Sequence, residues 1–147
     1  MNNQFVTYEI ALKLKELGFK EPCFKAYFKY TLSSSDCTLI QLLSPLVEIY
    51  GENYLFNNND DIFIDKSISG DGDGAKCTAP LWQQVIDYFR EKHNLIIYVS
   101  TYQKNKHLFG VFTYGDKELT ELSEWISSYE EARKSGIWKA IELINNK

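Results

Sequence analysis

The stretch Leu95-Ile96-Ile97-Tyr98-Val99-Ser100-Thr101-Tyr102-Gln103-Lys104-Asn105-Lys106-His107-Leu108-Phe109-Gly110-Val111-Phe112-Thr113-Tyr114 decides the architecture. Two runs rich in β-branched and aromatic residues, Leu95 to Tyr102 and His107 to Tyr114, flank the polar Gln103-Lys104-Asn105-Lys106, and this pattern predicts a β-hairpin over about 95–114. A two-residue or a four-residue loop centred there pairs Tyr102 with His107, Ser100 with Phe109 and Tyr98 with Val111. In that register one face carries Leu95, Ile97, Val99, Leu108, Gly110 and Phe112 and is expected to meet the core. The other face carries Ile96, Tyr98, Ser100, Tyr102, His107, Phe109 and Thr113, mixing hydroxyls with rings. A three-residue loop spoils this register.

Three helices are expected around the hairpin. The helix before it, over about 80–93, is opened by Thr78 and Pro80 and has an apolar stripe of Leu81, Val85, Tyr88 and Phe89. Arg90, Lys92 and His93 place cations at the negative end of its dipole before Asn94 stops it, so His93 reads as a helix-end residue rather than a base. The helix after the hairpin, over about 129–145, starts at the capping box Ser128-Tyr129-Glu130-Glu131 and buries Ala132, Ile137, Ala140, Ile141 and Ile144. Gly136 inside it costs on the order of 1 kcal/mol against alanine, which implies close packing or a slight bend. Near the amino terminus, Thr7 caps a helix over about 8–17 whose stripe is Ile10, Leu14 and Leu17, and Gly18 ends it.

Between the first two helices the pattern is weaker. Cys23 to Thr31 alternates Phe24, Ala26, Phe28 with Lys25, Tyr27, Lys29 and reads as a strand. Thr38 to Tyr50 suits a short helix or a strand pair interrupted by Pro45; Asn57 to Asp61 marks a turn, and Ile62 to Asp65 a short strand. Ser69-Gly70-Asp71-Gly72-Asp73-Gly74 reads as an exposed loop within a flexible acidic segment of about 57–76. It is no EF-hand, because the twelfth residue from Asp71 is Trp82 where a bidentate glutamate is needed. No Gly-Lys-Ser/Thr follows its glycines, so it is no phosphate-binding P-loop either. The expectation is a single α+β domain, 1–147, ordered α-β-(irregular or β)-α-β-β-α. At that length folding removes roughly 68 to 70% of the unfolded chain's surface from water.

Several quoted segments together resemble a set of small uncharacterised proteins encoded in phages and prophages of gut bacteria. They are Glu21-Pro22-Cys23-Phe24 after a Leu-Lys-Glu-Leu-Gly-Phe helix, Ala79-Pro80-Leu81-Trp82-Gln83-Gln84 leading into Phe89-Arg90-Glu91-Lys92, and Ser128-Tyr129-Glu130-Glu131-Ala132. Residues 33–76 depart from that pattern as an insertion would. The family has no assigned catalytic residues, so the resemblance carries no site. It implies a context: an accessory phage gene product acting in the cytoplasm of a bacterial host cell.

Charge narrows the function classes. Residues 1–30 carry five lysines against three glutamates, residues 31–80 two lysines against eight acids, and residues 81–147 nine cations against nine anions. The acidity belongs to the middle, which suits a basic protein partner or mimicry of nucleic acid. A pI of about 5.2 argues against duplex binding driven by counterion release. No run approaches the roughly 20 apolar residues that cross a bilayer, and the first residues do not form a secretion signal. A cytosolic location with no membrane partner is expected, and the number of subunits is not legible.

Cys23, Cys37 and Cys77 lack CxxC spacing and read as reduced, small hydrophobes. A zinc site gathering Cys77, His93 and His107 has little support in the spacing, and no cofactor or metal is expected. An enzyme reading rests on Cys77 alone, placed before a helix whose N-terminus would lower its pKa. The favoured reading is a non-catalytic binding or inhibitory module. Its candidate residues are Tyr98, Tyr102 and Phe109 on the second hairpin face, with rings suited to a host protein or a nucleotide ligand. Lys104, Lys106 and His107 at the hairpin tip would reach phosphates if the ligand were a nucleic acid. The plainer alternative is that aromatic cross-strand pairs serve packing alone.

Overall fold

The computed structural model describes residues 4–23, 25–29, 38–40, 74–113, 115 and 119–146. The chain falls into two compact units, Met1–Trp82 and Gln83–Lys147. Among the described residues there are three α-helices and two three-stranded antiparallel sheets, so the α+β class expected from the sequence is the one observed.

In the first unit, helix α1 (Tyr8–Glu16) lies against strand β3 (Gly74–Ala79), which belongs to a sheet ordered β2 (Thr38–Ile40), β1 (Lys25–Lys29), β3. Ile10, Ala11 and Leu14 form the buried stripe of α1. Thr7 stands at its N-cap, but its hydroxyl makes no capping hydrogen bond. The other end closes as expected: Gly18 takes φ 82°, its N–H donates to the Lys15 carbonyl, and Phe19 N–H reaches back to Leu14 at 2.9 Å. The buried Tyr27 hydroxyl donates to the Val6 carbonyl and so ties β1 to the segment entering α1.

β3 corrects the sequence reading. Gly74 to Lys76, expected within the flexible acidic segment, form the start of a strand whose register runs Lys25↔Ala79, Ala26↔Thr78, Tyr27↔Cys77 and, past a bulge, Phe28↔Ala75. Its Gly-Ala-Lys-Cys-Thr-Ala sequence has weak strand propensity, and the ladder with β1 supplies what propensity does not. Helix α2 (Trp82–His93) accordingly starts later than 80. Val6 N–H donates to the Pro80 carbonyl at 3.0 Å and Phe5 bridges Leu81, so these two residues are held in extended backbone. Of the stretch from Thr38 to Tyr50, the strand alternative holds for Thr38–Ile40; residues 41–50, the turn at Asn57 to Asp61, the strand at Ile62 to Asp65, the rest of the acidic loop and Cys37 lie outside the described residues.

In the second unit α2 buries Val85, Tyr88 and Phe89, and Asn94 leaves it with φ 55°. A sheet ordered β4 (Leu95–Gln103), β5 (Lys106–Thr113), β6 (Leu119–Leu122) follows, and helix α3 (Tyr129–Asn145) packs across β4 and β5. Ser128 caps α3 by accepting from Glu131 N–H. Ala132, Gly136, Ile137, Ala140 and Ile141 make its buried face. A Cβ on Gly136 would stand 3.0 Å from Ile97 Cγ2 and 3.2 Å from Phe109 Cβ, so close packing, rather than a bend, accounts for the glycine. No helix among the described residues is long and apolar enough to cross a membrane.

Candidate functional site

The hairpin is present, but its register is not the expected one. Gln103 pairs with Lys106 across the two-residue turn Lys104-Asn105, after which the pairing slips and continues Thr101↔His107, Ser100↔Leu108, Val99↔Phe109, Tyr98↔Gly110 and Ile97↔Val111. Tyr102 is the extra residue of a β-bulge. The cause lies in the turn. Neither Lys104 nor Asn105 has the positive φ that a two-residue hairpin turn of matching twist demands, and a bulge increases local twist to compensate.

One inserted residue leaves β4 as expected and inverts β5. Leu95 and Ile97 are buried and Val99, on the same face, is half-buried, as are Ile96 and Tyr98 on the other face. On β5, however, His107, Phe109 and Val111 are buried on the side of α3, against the expectation that Leu108, Gly110 and Phe112 would face the core and Phe109 and His107 would stand opposite; Leu108 and Phe112 are only half-buried, and Gly110 is buried beneath Tyr98. Phe109 therefore packs beneath α3 at Gly136 and leaves the candidate surface. Tyr98 remains on the face away from α3, where its ring lies over Gly110, within 2.7 Å of an added Cβ, and 5.5 Å from the Phe112 ring. That arrangement covers a glycine in a strand and is packing in character.

The bulge does something different for Tyr102. Released from the ladder, its side chain is 72% exposed, and its ring centroid lies 5.9 Å from that of Trp125, which is 55% exposed. Trp125 belongs to no motif of the sequence. Its signal was a tryptophan in the polar run Ser123-Glu124-Trp125-Ile126-Ser127-Ser128, where apolar periodicity gives it no core role. It reaches the hairpin because the chain after β6 stays beside β5: Ser123 Oγ accepts from Phe109 N–H at 2.9 Å, Ser123 N–H returns to Phe109 O, and Ile126 pairs with His107. Lys104 and Lys106 are exposed at the turn beside Tyr102.

His107 is held on every side. Nε2 lies 3.1 Å from the Lys104 carbonyl, which can only accept, so Nε2 carries the proton; Nδ1, 2.9 Å from Thr101 Oγ1, then accepts from the hydroxyl. Its ring meets Tyr129 edge-on at 6.0 Å, and the Arg133 guanidinium sits 5.7 Å from the centroid of the Tyr129 ring. Burial pulls Arg133 below its usual value, opposed by Tyr129 and Glu130.

Cys77 is fully buried within β3 opposite Tyr27, well before the first residue of α2, so the helix-terminus argument for an activated thiol does not apply. Cys23 is equally buried, its thiol within 3.3 Å of the Glu21 carbonyl, and burial pushes it up to about 12. His93 Nε2 lies 3.3 Å from the Tyr88 hydroxyl at the end of α2. Among the described residues no group of three histidine, cysteine or acidic side chains could hold a metal ion.

No protein-family model matches this chain. Neither a curated protein nor a solved structure matches it at a significant level.

Proposed function

We propose that the protein is a non-catalytic binding module that engages a protein partner through the Tyr102–Trp125 pair. One observation carries this reading: two large aromatic side chains, 72% and 55% exposed, lie ring against ring beside the turn of the β4–β5 hairpin. Exposing them forgoes the stabilisation that burying each would bring, roughly 25 cal/mol per Å² of apolar surface. Tyrosine and tryptophan are also the residue types most enriched at the energetic centres of protein interfaces, where a ring supplies area and its polar tip a hydrogen bond. The phage accessory context suggested by the sequence resemblance fits such a role, a small protein acting on a larger host component.

Single-stranded nucleic acid is the second reading, favoured by the exposed Lys104 and Lys106 beside a stackable ring. The two separate experimentally. Wild-type protein and a Tyr102→Ala/Trp125→Ala variant are used as bait in bacterial lysate with quantitative mass spectrometry, and both are titrated with a labelled oligothymidylate. The protein reading expects a partner captured at least about tenfold more by wild type, the scale of a hot-spot pair. Equal capture by both baits overturns it. Oligonucleotide binding that weakens steeply with salt and is lost in Lys104→Glu/Lys106→Glu transfers the site to nucleic acid.

A further inference from the structure

The aromatic pair spans two segments that are not joined in sequence, and the same buried residue holds both, one through its side chain and the other through its backbone. Tyr102 follows Thr101, whose hydroxyl lies 2.9 Å from His107 Nδ1; the turn beyond it is fastened by the Lys104 carbonyl, 3.1 Å from Nε2. Trp125 precedes Ile126, whose backbone exchanges both hydrogen bonds with His107, at 2.9 and 2.7 Å. Tyr129, at the start of α3, closes on the imidazole from the side. A hairpin end is ordinarily the first part of a sheet to fray, and a bulge removes ladder bonds there. His107 is 6% exposed, so its two ring contacts are sheltered from competing water.

We propose that His107 is the positioning residue of the Tyr102–Trp125 pair: its imidazole locks the bulge and the turn, its backbone docks the segment bearing Trp125, and the ring-to-ring geometry presented to a partner is set by it. The inference rests on reading the pair as a binding surface only for its functional meaning; the geometric claim stands alone. Asparagine at 107 keeps an acceptor near the Nδ1 position and glutamine a donor near the Nε2 position, whereas alanine keeps neither.

The test is fluorine NMR of protein labelled with 5-fluorotryptophan, which reports Trp82, Trp125 and Trp138 separately; Trp125→Phe identifies the relevant line and Tyr102→Leu gives its position without the neighbouring ring. In His107→Ala the Trp125 line is expected to move most of the way to the Tyr102→Leu position while the other two stay. In His107→Asn it is expected to return part of the way. Should His107→Ala fail to fold, Thr101→Val removes the Nδ1 contact with the imidazole in place, and the Trp125 line is expected to move in the same direction. A Trp125 line at its wild-type position in Thr101→Val, or in folded His107→Ala, overturns the proposal. Failure of the binding reading, seen as equal capture by wild type and the pair variant, leaves these spectra unchanged, so the two can fail separately.

Discussion

The two sheets are made from opposite kinds of sequence. β1, β2 and β3 come from three separated segments, Lys25–Lys29, Thr38–Ile40 and Gly74–Ala79, and among their described side chains the buried ones are the small Ala26, Cys77, Thr78 and Ala79 together with the polar-tipped ring of Tyr27. β4, β5 and β6 follow one another between Leu95 and Leu122, and bury Leu95, Ile97, Phe109 and Val111. Closing a long loop costs entropy before any contact rewards it, so the first sheet depends on partners distant in the chain, and the second on its own local pattern and on α3. The difference teaches where each is vulnerable: the second through volume, the first through buried polar groups.

The strongest way to break that contrast is to remove volume from both. Ile97→Ala, at a site 4% exposed and pressed by α3, is expected to cost about 2–5 kcal/mol in urea denaturation. Cys77→Ala removes one sulfur from a comparably sealed site and is expected to cost about 1 kcal/mol, on the scale of one buried methylene. Equal losses would mean that the two cores are not organised differently. Adding volume sharpens the same point: Gly136→Val forces two methyls towards Ile97 and Phe109 and is expected to cost about 1–3 kcal/mol. Gly136→Ala gains about 1 kcal/mol of helix propensity against a 3.0 Å contact, so it should fall near neutrality.

The same contrast explains what could be read from the sequence. The three helices are legible because each has caps and a period of its own, and Tyr8–Glu16, Trp82–His93 and Tyr129–Asn145 fall within two residues of expectation. The hairpin is legible as far as β4. Its second arm is not, because the bulge at Tyr102 follows from turn dihedrals that Gln103-Lys104-Asn105-Lys106 does not announce, and one residue of slip turns Phe109 and His107 inward. β3 is illegible for the reason that makes the first sheet different: its pattern lies in β1. Of the candidate site, the alternation around Gln103-Lys104-Asn105-Lys106 places Tyr102, Lys104 and Lys106 at the hairpin tip, where they are exposed, while Trp125 is brought there by a pairing, Ile126 with His107, that no local pattern encodes.

Alkaline titration probes the first unit. Burial raises the Cys23 thiol from 9.0 to about 12 and the Tyr27 hydroxyl from 10.0 to about 12, with Cys77 and Glu9 adding to the latter. Both groups stay protonated in the fold where the unfolded chain has already released its protons. Their contribution is therefore complete below about pH 9, and is lost as pH rises through 9 to 12. Stability measured by urea midpoint is expected to fall across that window, and Tyr27→Phe to flatten the part between 10 and 12 at the cost of about 1 kcal/mol at neutral pH from the lost bond to Val6. At pH 7 in a Cys37→Ser background, Cys23 and Cys77 should react with a disulfide reagent only as fast as the unit opens. Rapid labelling of Cys77 would restore the thiol-enzyme reading.

The smallest expected stability change is the most informative about function. Tyr98 and Tyr102 stand four residues apart on one strand, but Tyr98 roofs Gly110 beside Phe112 while Tyr102 is displaced from the ladder and 72% exposed. Tyr98→Ala uncovers a strand glycine and is expected to cost about 1–3 kcal/mol, at the lower end of aromatic truncations because the ring is only half-buried. Tyr102→Ala should stay within about 0.5 kcal/mol, the usual range for an exposed substitution, and still abolish partner capture. The two variants thus separate a ring that packs from a ring that is displayed. If Tyr102→Ala destabilises the protein as much as Tyr98→Ala does, its contact with Trp125 is holding the hairpin end together, and the bulge exists for the fold rather than for a partner.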